Sequence, residues 1–147
     1  MKKKTIKILI AMATIGCLFT SNAIVNAKDN NVSEKVCAEG ETEVIPYGAY
    51  LQVGTSNINK TGTGKIYAKG RTVAEMNVPK ISVGVRVEHL IGNAWVQQDY
   101  FSASKTNTYT VTASKTLTVP IGYFYRVKSF HTAHTDSSSS WTDGLYI

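Results

Sequence analysis

Residues 81–101 read ISVGVRVEHLIGNAWVQQDYF, and their alternation decides the fold class. Ile81, Val83, Val85 and Val87 alternate with Ser82, Gly84, Arg86 and Glu88, the period of a strand with one buried and one wet face. Gly92-Asn93 suits a tight primed turn, whose central residues need positive φ. Trp95 to Phe101 then returns as the partner strand. Two apolar runs joined by such a pair predict a β-hairpin.

Working outward, the same texture continues from Tyr47 to the end: short runs rich in Val, Ile, Tyr, Thr and Phe, separated by Gly, Asn, Ser and Pro. Tyr50 to Gly54 is a first strand, and Lys65 to Ala74 a second, after the turn Thr61-Gly62-Thr63-Gly64. Tyr109 to Thr112 and Lys115 to Val119 supply one or two more. Tyr123 to Phe130 follows, and Trp141 to Ile147 closes the chain. No run in this region holds a helical period. About seven strands across residues 46–147 predict an all-β domain, specifically an immunoglobulin-like or fibronectin type III-like antiparallel β-sandwich.

Upstream the chain changes character. Lys2, Lys3, Lys4 and Lys7 precede an apolar run from Ile8 to Phe19, and Val25-Asn26-Ala27 ends in small residues at the −3 and −1 positions of a cut. That is the anatomy of a secretory signal peptide over residues 1–27. The apolar run is too short to span a bilayer, which takes about 20 residues. Cleavage after Ala23 is the second option. A lipoprotein acylated at Cys17 is the third, weakened by Thr14 where a lipobox prefers Leu. The expected location is therefore extracellular. Residues 28–45 are polar and read as a flexible lead-in or propeptide. Within them Glu39, Glu41 and Glu43 alternate, as a solvated acidic stretch would.

Processing changes the charge. The whole chain carries +6, but four of its 16 basic residues and none of its 10 acids lie in the leader. A net charge of +2 on about 120 residues, scattered rather than clustered, argues against nucleic acid as a partner. Cys37 would be the only cysteine left after cleavage, either an unused thiol or a bridge to a second chain in a dimer.

Two resemblances follow from particular residues. Leu117, Pro120, Gly122, Tyr123, Tyr125 and Val127 resemble the turn leading into the sixth strand of fibronectin type III domains, although Ile121 separates the Pro and Gly. In that motif the Tyr hydroxyl ties back to the preceding loop. More broadly, Tyr50-Leu51-Gln52, Gly64-Lys65-Ile66-Tyr67 and Gly122-Tyr123-Phe124-Tyr125-Arg126-Val127-Lys128, followed by His131, a Ser-rich loop and a final Tyr-Ile, resemble a family of small secreted proteins of Gram-positive bacteria, a domain of unknown function. The resemblance implies export and a compact β fold, and it carries no catalytic residues across.

Chemistry-bearing constellations are sparse. His131, His134 and Asp136 form the single histidine–acid cluster, but residues three apart on a strand face opposite sides, so a metal site is not expected. No serine sits in a nucleophile elbow. Glu75, Glu88 and Asp99 read as surface charges, Glu88 on the wet face of its strand. No motif asks for a cofactor, and no enzyme is expected.

Aromatic residues are the remaining resource, and most should be core. In Tyr123-Phe124-Tyr125 alternation forbids all three from entering one core, so Phe124 points outward. Trp95 beside the tight turn and Trp141 after the serine loop are the candidate ligand-binding residues, placed as loop-adjacent rings that could stack on a sugar. The function expected is a non-catalytic binding or interaction domain with a cell-surface glycan or protein as partner. The alternative is a membrane-acting β-rich toxin or antimicrobial protein, built on the Ser/Thr-rich stretch from Thr106 to Thr118, although no girdle of apolar residues accompanies it. Sequencing the N-terminus of the exported protein is expected to return Lys28-Asp29-Asn30; a start at Cys17 would overturn the cleavage assignment.

Overall fold

The structure, a computed structural model, describes residues 35–42 and 48–147; the expected leader, its cleavage sites and Cys17 lie outside the described residues. Seven strands make up the described chain: β1 (Cys37–Glu41), β2 (Leu51–Gly62), β3 (Lys65–Ile91), β4 (Ala94–Thr118), β5 (Phe124–Ala133), β6 (Asp136–Trp141) and β7 (Leu145–Tyr146). All join one antiparallel sheet in the order β1-β2-β3-β5-β6, with β4 along the other side of β3 and β7 on β5. The sheet is nearly barrel-shaped.

The organising element is β3, 27 residues long. Its first half pairs with β2 and its second with β5, while β4 follows both halves from Lys65↔Thr118 to Ile91↔Ala94. Halfway along, residues 74–77 stand opposite Tyr109 alone, between the pairs Val73↔Thr110 and Val78↔Thr108. An odd excess of residues flips the alternation. Ile66, Ala68, Gly70, Thr72 and Ala74 are buried before the bulge, and Ile81, Val83, Val85 and Val87 after it. Both halves thus present their apolar side to one interior. Pro79, which has no N–H to give, falls where the ladder skips from Val78↔Thr108 to Lys80↔Thr106. On β4 the turn is taken by Asn107, in the left-handed region at φ 51°.

Gly70 marks where the halves meet. A Cβ there would stand 2.7 Å from Ser129 Oγ and Val85 Cγ2 and 2.9 Å from Val83 Cγ2, closer than packed atoms tolerate. At the far side, the backbone of Gly40 in β1 lies against that of Trp141 in β6, which nearly completes the circuit. Ile58, Ile66, Val78, Val83, Val85, Val87 and Val127 fill the interior, each burial stabilising by about 1.5–3 kcal/mol. Tyr125 is the one fully buried aromatic among the described residues, and its hydroxyl donates to the Pro120 carbonyl at 2.7 Å. The tie to the preceding loop expected from the fibronectin-like motif is therefore present.

Several expectations are corrected. The segments Lys65–Ala74 and Ile81 onward form one strand, as do the three short runs from Trp95 to Thr118, because a bulge bends a strand without ending it. Part of the expected flexible lead-in is β1, held by β2 from Cys37↔Asn59 to Glu41↔Thr55. Glu39 there accepts a hydrogen bond from Asn57 Nδ2 at 2.8 Å. Cys37 opens β1 opposite Asn59, and no second cysteine lies among the described residues. The serine loop is also a strand, β6, because Ser137 to Ser140 pair with β5.

Replacing Gly70 with Ala is expected to cost roughly 1–3 kcal/mol of stability, read as a lower urea midpoint with an unchanged m-value. An unaltered midpoint would show that the two halves of β3 are not packed at this point.

Candidate functional site

The alternation of β5 divides the molecule into two chemically distinct surfaces. Tyr125, Val127, Ser129, His131 and Ala133 point inward, while Phe124, Arg126, Lys128, Phe130 and Thr132 point outward. Each surface extends across neighbouring strands by register.

Inside, a polar strip crosses the core. Thr72 Oγ1 donates to the Ser82 carbonyl at 3.0 Å and lies 2.9 Å from His131 Nδ1. With its proton so committed, the Thr72 hydroxyl accepts from Nδ1–H, and Nε2 is left to accept from the Ser140 hydroxyl at 2.8 Å. Ser56 Oγ lies 2.7 Å from both Ser140 Oγ and Ser129 Oγ. Gly54 is bare because the His131 ring lies where its Cβ would be. Burial pushes the His131 pKa down to about 4, since charging the ring would bury a cation with no acid beside it.

Ser140 and His131 have the contact of a nucleophile and its base. Yet Ser140 is 1% and His131 0% exposed, so no substrate can reach them. They hold the strands together. His134 sits in the turn at φ 55° with its ring edge-on to Tyr50 at 4.7 Å, so the two histidines do not converge. Asp136 accepts from the Tyr50 and Leu51 amides at 2.6 and 3.0 Å, which hold its carboxyl below the usual range. Among the described residues no group of three or more His, Cys, Asp or Glu could hold a metal ion.

Outside, the even residues of β5 join those of β3 and β4. Glu88, expected to be wet, is only 5% exposed. Arg126 Nε donates to its Oε2 at 2.7 Å, and Arg86 Nη1 lies 3.6 Å from Oε1. The two arginines that cover the carboxylate are themselves spread over rings. The Arg126 guanidinium lies 4.3 Å from the centre of Trp95, and that of Arg86 5.3 Å from Phe130. Lys128 Nζ approaches the same Phe130 at 5.5 Å. Such contacts contribute about 0.5–2 kcal/mol each and hold long side chains flat. Phe124, outward as expected, packs its ring 5.2 Å from Tyr146.

Most of the aromatic rings, expected largely in the core, therefore lie on this face or elsewhere on the surface: Tyr100, Phe130 and Tyr146 expose a large part of their area, as do Phe124 and Trp141, which were expected outside. Their parity excludes them from an interior that Val and Ile already fill. Both candidate residues belong to this outward face. Trp95, half-buried, pairs with Leu90, and Trp141 pairs with Lys128. Trp141 ends β6 rather than opening a closing strand that runs to Ile147. The cations Arg86, Arg126 and Lys128, which complete the face, were missed from the sequence because only strand register brings them beside the rings.

Two open cavities flank the sheet, the first sharing Tyr146 with this face. One of about 300 Å³ is lined by Lys60, Gly64, Ile121, Tyr146 and Ile147. The other, about 380 Å³, opens between the two arms of β4, beside Phe101, Ala103, Thr112 and Lys115. The Ser/Thr-rich stretch considered for membrane action is this second arm, which turns Val111 and Ala113 inward. Lys115 binds Asp99 across the cleft at 2.7 Å. Among the described residues no helix is long and apolar enough to cross a membrane. No family model, curated protein or solved structure matches the chain.

His131 gives the fold a pH dependence. Its folded pKa near 4 lies below its ordinary 6.5, so between those values the unfolded chain binds more protons. Stability from this group is complete above about pH 6.5 and falls as pH drops toward 4, by at most about 3 kcal/mol. Urea midpoints measured from pH 7.5 to 4 are expected to show that decline, and a flatter one in His131→Gln. Identical slopes would mean the ring is not the responsible group.

Proposed function

We propose that this protein is a secreted, non-catalytic binding domain whose ligand surface is the outward face of β4, β3, β5, β6 and β7, and whose ligand is a glycan. The observation that carries the reading is the gathering of exposed rings on the outward side of one hydrogen-bonded sheet. Tyr100, Phe124, Phe130, Trp141 and Tyr146 stand there together with half-buried Trp95. Isolated exposed apolar residues are ordinary, whereas a contiguous group rimmed by polar side chains marks an interaction surface. Sugar rings offer apolar C–H faces with hydroxyls around their edges. Flat aromatic rings beside Arg, Lys and Ser suit both features.

The rings are also held in place before any ligand arrives. Glu88 fixes Arg126, Arg126 lies over Trp95, and Trp95 and Phe124 both flank Gly144, each 3.4 Å from where its Cβ would be. Rings that lose little freedom on binding give more affinity for the same contact. The export leader read from the sequence supports action outside the cell, and the likeness to small secreted Gram-positive proteins supports the same setting. An immunoglobulin-like relationship of the fold is supported by the Tyr125–Pro120 tie.

Binding to immobilised cell-wall and host-surface glycans is expected to weaken by about fivefold or more in Trp141→Ala, whose ring is 57% exposed. Trp95→Ala should weaken it as well and cost about 1 kcal/mol of stability, because Arg126 loses its stacking partner. Unchanged affinity in both variants would remove this face from the proposal.

A further inference from the structure

Register aligns four outward side chains in a row across the strands. Arg86 of β3 pairs with Tyr100 of β4 on one side and with Lys128 of β5 on the other, and Lys128 pairs with Trp141 of β6. The row reads ring, cation, cation, ring. Paired residues on adjacent antiparallel strands lie about 4.5–5.5 Å apart, the scale of one sugar unit in a chain. The end rings are open, Tyr100 at 51% and Trp141 at 57% exposure. Tyr100 lies low over the sheet because Gly84 leaves room for it; a Cβ there would meet its hydroxyl.

The charge of the row is unbalanced. Arg86, Arg126 and Lys128 share one acid, Glu88, which is sealed beneath the two arginines. Among the described residues no carboxylate pairs with Lys128, and the Arg86 side chain, 37% exposed, approaches Glu88 only through Nη1 at 3.6 Å. A neutral chain crossing this row would press hydroxyls against two cations and gain little from them. A chain bearing carboxylates would supply the missing counter-charge where the row offers it.

We propose that the face binds an acidic polysaccharide, a uronic-acid chain, lying across the strands from Tyr100 to Trp141. Its sugar rings stack on the two aromatic ends, and its carboxylates meet Arg86 and Lys128. This rests on the glycan reading above and adds the ligand class and the direction of the chain. A single-stranded nucleic acid also combines stacking bases with anionic groups, but it stacks successive bases on successive rings, whereas the two rings of this row stand three strands apart with two cations between them.

The test is titration calorimetry of the purified exported protein with hexagalacturonate, its fully methyl-esterified form, a hyaluronan hexasaccharide, an alginate hexamer and oligo-dT. The acidic hexasaccharides are expected to bind about tenfold more tightly than the neutral ester, and to weaken as salt rises from about 50 to about 300 mM. Lys128→Gln, an outward substitution, should lower affinity for the acidic chains about fivefold while leaving the ester unchanged. Trp141→Ala should weaken both. Equal affinity for acid and ester, with Trp141→Ala still weakening both, would overturn the acidic assignment and leave the glycan reading standing. No binding of any of these sugars would overturn the acidic assignment, and a further failure to bind the immobilised cell-wall and host-surface glycans would overturn both. Tighter binding of oligo-dT than of every sugar would replace them with nucleic acid. Matching circular dichroism spectra keep loss of fold separate from loss of contact.

Discussion

The bulge at residues 74–77 of β3 is the constraint on which the rest of the molecule depends. A straight strand of 27 residues would run to about 90 Å, far beyond any compact domain of this size. Bending it is not enough, because a bent strand of unchanged parity would turn its second apolar row to solvent. The odd excess of residues opposite Tyr109 restores the facing, and with it one interior shared by both halves. Gly70 then lets the halves touch, and β5 can take its place beside the second half with its own odd residues inward. The interior and the outward face are consequences of one local irregularity.

Much of this was legible in the sequence, up to a limit set by where the signal is stored. The period-two alternation from Ile81 to Val87 and the Gly92-Asn93 turn identify the hairpin without ambiguity. The alternation through Tyr123-Phe124-Tyr125 fixes Phe124 outward and Tyr125 inward. The continuity of β3 and β4 was hidden, because Glu75-Met76-Asn77 and Lys105-Thr106-Asn107 look like breaks between strands. They are where one strand bends. β1 was hidden for a different reason: Cys37-Ala38-Glu39-Gly40-Glu41 has little β propensity of its own and takes its conformation from the edge of β2.

The two surfaces differ in the same respect. Trp95 and Trp141 could be picked out individually as rings able to meet a ligand, because a residue type carries that information. Their cationic neighbours could not. Arg86, Lys128, Tyr100 and Trp141 are scattered through the chain and become a row only through three separate strand registers. Glu88 was misread for the same reason, since alternation gives its side of the sheet but not the two arginines above it.

The polar strip in the core explains why those registers hold. A barrel lined by valine alone would tolerate a slip of two residues along β5, because each valine would meet another of similar size. The strip does not. A two-residue slip would take His131 away from Thr72 and Ser140 and set it against groups that cannot satisfy both ring nitrogens, at a cost of about 1–3 kcal/mol for each buried group left unpaired. Ser56 would lose Ser129 and Ser140 by the same displacement. An apolar core supplies the free energy of folding, and the buried hydroxyls and the neutral histidine select one register within it. That selection reaches the outside, because the register that seats His131 is also the one that sets Lys128 between Arg86 and Trp141.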